Sequence, residues 1–177
     1  MDFLIKSGTL YWLEGGAYGP ALADIRNRLC SSEKHIIAGE KQFLTQIRTE
    51  IPQEEIIPGA CPKQYLLKNS EGEVLLSGVP RYADGDDPSV VGWPIYRMPR
   101  VNSAELLFQG RSGLLKMINS QNYRLTAPSG KVMLTFLHRG IIGGWRLETA
   151  EEFPPELLCG IFIFCRYMEQ ENELTTI

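Results

Sequence analysis

Phe153-Pro154-Pro155-Glu156-Leu157-Leu158-Cys159-Gly160-Ile161-Phe162-Ile163-Phe164-Cys165-Arg166-Tyr167-Met168-Glu169 is the stretch on which the fold turns. Its middle, residues 157–165, carries no charge or strongly polar group, so a helix there is apolar on every side and must be surrounded by protein or lipid. Pro154 biases Phe153 away from helix, while Pro155 suits the first helical position and Glu156 lies near the positive end of the dipole. Thr149-Ala150-Glu151-Glu152 has the spelling of a capping box but stops short of these prolines. The spacing predicts a helix over about 155–172, on the order of 27 Å long. A bilayer needs about 20 apolar residues. Arg166 closes the run after nine, so protein is the expected surrounding.

What could surround it is written upstream. Tyr65-Leu66-Leu67-Lys68-Asn69-Ser70-Glu71-Gly72-Glu73-Val74-Leu75-Leu76 aligns with Tyr123-Arg124-Leu125-Thr126-Ala127-Pro128-Ser129-Gly130-Lys131-Val132-Met133-Leu134 at a constant offset of 58 residues. Each copy reads as strand, polar turn closed by glycine, strand, which is the signature of a β-hairpin. His35 to Leu44 reads as a shorter third hairpin. Further short alternating stretches occur at Thr9 to Glu14, Phe43 to Ile51, Ala104 to Gln109, Gly113 to Ile118 and Trp145 to Leu147. Pro52, Pro58 and Pro62 mark one irregular connection, and Pro80, Pro88, Pro94 and Pro99 another, since proline cannot donate to a sheet ladder. Ala21 to Leu29 fits helix through Leu22, Ile25 and Leu29, and strand through Ala23, Ile25, Asn27 and Leu29. A 58-residue period matches no common solenoid. The simplest object is therefore a single mainly β domain over 1–177: a closed antiparallel barrel in two similar halves, with the hydrophobic C-terminal helix buried along its axis.

Composition excludes several classes. A chain of 177 residues, 44% hydrophobic and 22% charged, with net charge −3, is neither disordered, nor collagen-like, nor a nucleic-acid binder driven by overall positive charge. Four cysteines without a CxxC pair argue against a disulfide scaffold or zinc ribbon, and MDFLIKSGTLYWLEGG makes a poor secretory signal. A reducing, cytoplasmic setting is expected. The charge is uneven: residues 97–146 hold eight basic groups against Glu105 alone, a balance of +7, leaving ten basic and twenty acidic groups, −10, elsewhere.

The paired Y-x-L-x(4)-G-x-V-x-L hairpins, the stretch Gly140-Ile141-Ile142-Gly143-Gly144-Trp145-Arg146-Leu147 as a late strand, and the helix from Phe153 to Met168 together resemble the tubby C-terminal-like superfamily. That group takes in the tubby, phospholipid scramblase and LURP-one-related proteins. In length and layout the chain is most similar to small bacterial relatives of the LURP-one group. The resemblance implies a twelve-stranded barrel around the helix, and it implies lipid contact. The scramblases' proline-rich extension, palmitoylated cysteine cluster and calcium-binding segment have no counterpart in matching positions, and the tubby basic pocket does not match residue by residue. Asp84-Gly85-Asp86-Asp87 lacks the order of an EF-hand loop and reads as a solvated turn.

The basic block is the best candidate site. In the hairpin at 123–139, Tyr123 and Leu125 share one face and Val132, Leu134, Phe136 and His138 line the returning strand's face, so Arg124, Lys131 and Arg139 project outward. Arg111, Lys116 and Arg146 complete a candidate surface for anionic lipid or another phosphate-bearing ligand. The bland alternative is a solvated face, or pairing with acids such as Glu71 and Glu73. His138 and His35 stand about 100 residues apart with no ligand partners in spacing, so a packed histidine is expected, and no metal or cofactor. Cys30 and Cys61 lack a base beside them in sequence. Gly15-Gly16 and Gly143-Gly144 spell no nucleotide loop. Trp12 and Trp145 read as core or rim, and Trp93, in Val91 to Tyr96, as an exposed aromatic available to a partner. The expectation is a non-enzymatic binding or scaffold module with peripheral contact to anionic lipid or a phosphorylated ligand through residues 97–146. The alternative is a small-molecule-binding barrel, which a filled interior would oppose. A hydrolase or transferase ranks last.

Overall fold

The computed structural model describes residues 1–92 and 99–173. Twelve strands close on themselves: β1 (Asp2–Lys6), β2 (Thr9–Glu14), β3 (Ala17–Asn27), β4 (Lys34–Ala38), β5 (Lys41–Arg48), β6 (Gln64–Asn69), β7 (Val74–Tyr82), β8 (Val101–Phe108), β9 (Arg111–Asn119), β10 (Asn122–Thr126), β11 (Val132–His138) and β12 (Trp145–Thr149). Each pairs antiparallel with its sequence neighbours, and β1 pairs with β12 to seal the ring. The helix α1 (Pro155–Glu173) fills the interior, with its central residues, Leu157 to Cys165, all buried. Closure removes the sheet edges, and the helix supplies the apolar mass that inward-facing strand residues pack on.

The two aligned hairpins match in detail. Asn69 N–H donates to Glu73 O at 3.0 Å and Gly72 N–H to Asn69 O at 3.1 Å; 58 residues later, Ala127 donates to Lys131 at 2.9 Å and Gly130 to Ala127 at 2.8 Å. The register slips at Leu67/Lys68 in one and at Leu125/Thr126 in the other. That bulge corrects one expectation. Thr126 faces Val132 while Leu125 faces Leu134, so Met133 is the extra residue. Val132 accordingly turns to solvent and Met133 is buried.

Other expectations are also revised. Gly140 to Gly144 is a turn rather than strand, and β12 begins only at Trp145. Residues 20–27 are strand, within β3. Pro80 lies inside β7, opposite Ala104 of β8. Its carbonyl accepts from Cys61 N–H at 2.9 Å, and a strand residue's N and O point the same way. The missing N–H therefore faces away from β8 and removes nothing from that ladder. Trp93 and Arg97 lie outside the described residues.

The two ends differ. Because β12 ends at Thr149 and α1 starts at Pro155, the helix enters where the short turns at 15–16, 39–40, 70–73, 109–110 and 127–131 cluster. Its C-terminal half emerges at the end holding the connections 28–33 and 49–63, residues 83–92 and the turn 139–144. No helix among the described residues is long and apolar enough to cross a membrane.

Candidate functional site

The register sorts the basic block. On the outer wall Lys116 of β9 is directly opposite Arg124 of β10, both exposed, which sets their Cβ atoms about 5 Å apart. Like charges so placed repel, and neither side chain has an ion pair or hydrogen bond among the described residues. Arg124 in turn faces Thr135 of β11, so no carboxylate flanks the pair on that side. Lys131 and Arg139 stand before and after β11, each four residues from Thr135, or roughly 13 Å along the wall on either side of the pair. They extend the positive row but do not converge with it.

The remaining candidates are neutralised. Arg111 Nη1 lies 2.7 Å from Glu151 Oε1 and its guanidinium sits over the Phe108 ring. Arg146 reaches Asp2 at 2.7 Å and Glu148 at 3.3 Å. Pairing with Glu71 or Glu73 does not occur; Glu73 accepts from Asn69 instead. Half-exposed aliphatic side chains share the wall. Leu114 and Ile118 flank Lys116 on the outward positions of β9, and Leu107 lies on β8. A shallow cleft of about 360 Å³ lies one outward step from Lys116, between Leu114, Ser112, Glu105 and the Ala127-Pro128 turn. The arrangement offers two neighbouring cationic side chains beside a largely apolar floor.

A second polar cluster, which sequence reasoning missed, closes the end where the helix emerges. Tyr123 Oη donates to Glu169 Oε1 at 2.6 Å, and Glu169 also pairs with Arg166 one turn back. Arg166 lies 5.3 Å over the Trp145 ring, and His138 packs against that ring at 4.7 Å. Burial and the Glu169 carboxylate push the Tyr123 phenol well above its ordinary value. The signal was present: Leu158, Phe162, Cys165 and Glu169 follow steps of four, three and four, so Glu169 continues the inward stripe. Tyr65, the equivalent of Tyr123 in the other hairpin, is also fully buried, yet its hydroxyl has no partner among the described residues.

The two tyrosines give opposite expectations. Tyr123→Phe strips a buried carboxylate of a charge-assisted bond and should lower stability by about 2 kcal/mol. Tyr65→Phe removes an unsatisfied hydroxyl and should leave stability unchanged or raise it by up to ~1 kcal/mol. Urea midpoints of the two variants check this; equal losses would show that the Tyr65 hydroxyl is satisfied.

Buried phenols also set the alkaline limit. Burial pushes Tyr167 from 10.0 up to about 12, while Thr45 Oγ1 at 2.7 Å opposes the shift. A raised folded value means the stabilisation is complete below the unfolded value and is lost as pH climbs through the folded one. Tm should hold to about pH 10 and fall between about 10 and 12, less steeply in Tyr167→Phe. A flat profile over that interval would contradict the burial.

The cysteines are all free, with Cys30 exposed and the other three buried. Burial pushes the Cys61, Cys159 and Cys165 thiols up, away from the reactive thiolate. Among the described residues no group of three or more His, Cys, Asp or Glu side chains is placed to hold a metal ion. No family model, curated protein or solved structure matches the chain.

Proposed function

We propose that this chain is a non-catalytic binding domain that holds a phosphate-bearing anion against the outer wall of the barrel, at Lys116 and Arg124. The observation that carries the reading is their cross-strand juxtaposition without an acidic partner among the described residues, in a block whose Arg111 and Arg146 are both neutralised. Two cationic side chains whose Cβ atoms a β-ladder sets about 5 Å apart raise each other's energy, and a multiply charged anion bridging them relieves it. Lys131 and Arg139 add longer-range attraction along the same wall.

The helix occupies the space a carrier barrel would keep for its ligand, which supports external binding over the small-molecule reading. The upward-shifted thiols support binding over covalent catalysis. The tubby-like resemblance, with the lipid contact it implies, favours a phospholipid headgroup as the source of the phosphate. The free, exposed Cys30 fits a reducing compartment, so the reading places the domain in the cytoplasm, peripheral to a membrane.

The probe is inositol hexakisphosphate, followed by calorimetry at low salt. At about 1 kcal/mol per basic side chain, Lys116→Ala with Arg124→Ala should weaken binding about 30-fold. Arg111→Ala, which removes a neutralised charge, should change it less than about threefold. A double variant that binds like the wild type would overturn the assignment.

A further inference from the structure

The turn joining β11 to β12, Arg139-Gly140-Ile141-Ile142-Gly143-Gly144, holds two aliphatic side chains in water. Ile141 is 101% exposed and Ile142 85%, and neither packs on the core. The backbone beneath them is firmly set. Arg139 N–H donates to Gly144 O at 2.8 Å and Gly143 N–H to Gly140 O at 3.2 Å, while Gly140 and Gly144 take positive φ. A Cβ at Gly143 would fall on the Arg139 carbonyl. The turn thus presents Ile141 and Ile142 on a fixed platform, and nothing in the fold calls for apolar groups there.

From this geometry we infer that the β11–β12 turn is a wedge that enters the interfacial layer of an anionic bilayer while Arg139, Arg124 and Lys116 meet its headgroups. The inference rests on the anion site proposed above and adds the physical form of the ligand, a membrane surface rather than a free phosphate.

Charge complementarity selects this occupant. The same end of the barrel carries other exposed aliphatic side chains, Leu29 in the β3–β4 connection and Val91 in the β7–β8 connection, each four strands away around the ring. Leu29 is a single aliphatic side chain whose neighbour Arg28 is tied to Glu33, and Val91 follows the acids Asp84 and Asp87. The β11–β12 turn carries two such side chains in succession beside Arg139, which has no ion pair among the described residues, and no carboxylate occurs in the sequence between Glu105 and Glu148. Two isoleucines are also far too small a patch for a stable protein interface, which buries about 800 Å² per partner. Apolar tips backed by basic side chains are the pattern of an interfacial membrane anchor.

The test uses the full chain and two kinds of probe. Sedimentation with vesicles of phosphatidylcholine and phosphatidylserine is compared with calorimetric binding of inositol hexakisphosphate. Ile141→Ser with Ile142→Ser should lower vesicle affinity at least about tenfold and leave the soluble polyphosphate affinity unchanged. Lys116→Glu with Arg124→Glu should abolish both. Ile142→Trp should keep vesicle binding and show a blue-shifted emission component, absent from the wild type, when vesicles are added. Wild-type binding of the polyphosphate without binding of anionic vesicles would overturn the wedge and leave the anion site standing. Serine variants that sediment like the wild type would overturn the wedge equally, and loss of both kinds of binding in the wild type would remove the anion site as well.

Discussion

Leu158→Asp is expected to leave the protein unfolded. Leu158 is 0% exposed, inside the barrel, on a helix whose residues 157–165 are all buried. Replacing it forfeits about 2–5 kcal/mol of burial and cavity energy and places a carboxylate in the hydrophobic core, which costs several kcal/mol more. The sum is at least ~5 kcal/mol, comparable with the whole stability of many domains. Leu107→Asp, on the outer wall, should cost less than about 1 kcal/mol. Circular dichroism and amide dispersion distinguish the two. A folded Leu158→Asp variant would mean that the helix is not the core, and the hollow-carrier reading would gain.

Gly144→Val should strike directly at the closure of the barrel. Gly144 has φ +70°, and a Cβ there would lie 2.3 Å from the Ile5 carbonyl oxygen and 3.2 Å from Lys6 Cβ. Ile5 pairs with Trp145 at the β1–β12 seam, so the clash falls on the ladder that closes the barrel. A β-branched residue in this conformation costs about 3 kcal/mol, and displacement of β1 adds to it, so Tm should fall by roughly 10 °C. Gly15→Val is the control, because Gly15 also has positive φ but nothing within 4 Å of the added carbon. Equal melting losses would show that strain, and not closure, is being measured.

Much of this architecture was legible in the sequence because two different periodicities sit side by side. Tyr123 and Leu125 alternate with polar neighbours and face inward, as do their counterparts Tyr65 and Leu67, while Leu157 to Cys165 has no polar side and must be enclosed. β1 escaped notice because Phe3, Leu4 and Ile5 are all buried, so Asp2–Lys6 shows no alternation. β3 was ambiguous because Gly19 and Pro20 break its pattern and its register with β2 shifts twice. Of the candidate site, the outward direction of Arg124 followed from parity alone, whereas Lys131 and Arg139 lie just outside β11 and are exposed although the bulge reverses the parity of Val132. Their neighbours did not follow from parity. That Lys116 stands opposite Arg124, and that Glu151 and Asp2 neutralise Arg111 and Arg146, depends on register and ring closure between residues 8 to 144 positions apart. Exposure of Ile141 and Ile142 was hidden for a related reason: Gly140 to Gly144 spells a strand to a reader who cannot see the hydrogen bond that folds it back.

The placement of the anion site is tested most directly by amide chemical-shift mapping of the ¹⁵N-labelled full chain titrated with inositol hexakisphosphate at low salt. The largest shifts should fall on Leu115 to Met117 of β9 and Tyr123 to Leu125 of β10, with smaller ones at Lys131 and Arg139. Shifts that leave these strands unmoved and gather on another wall, such as around Lys41 and Lys68, would contradict it.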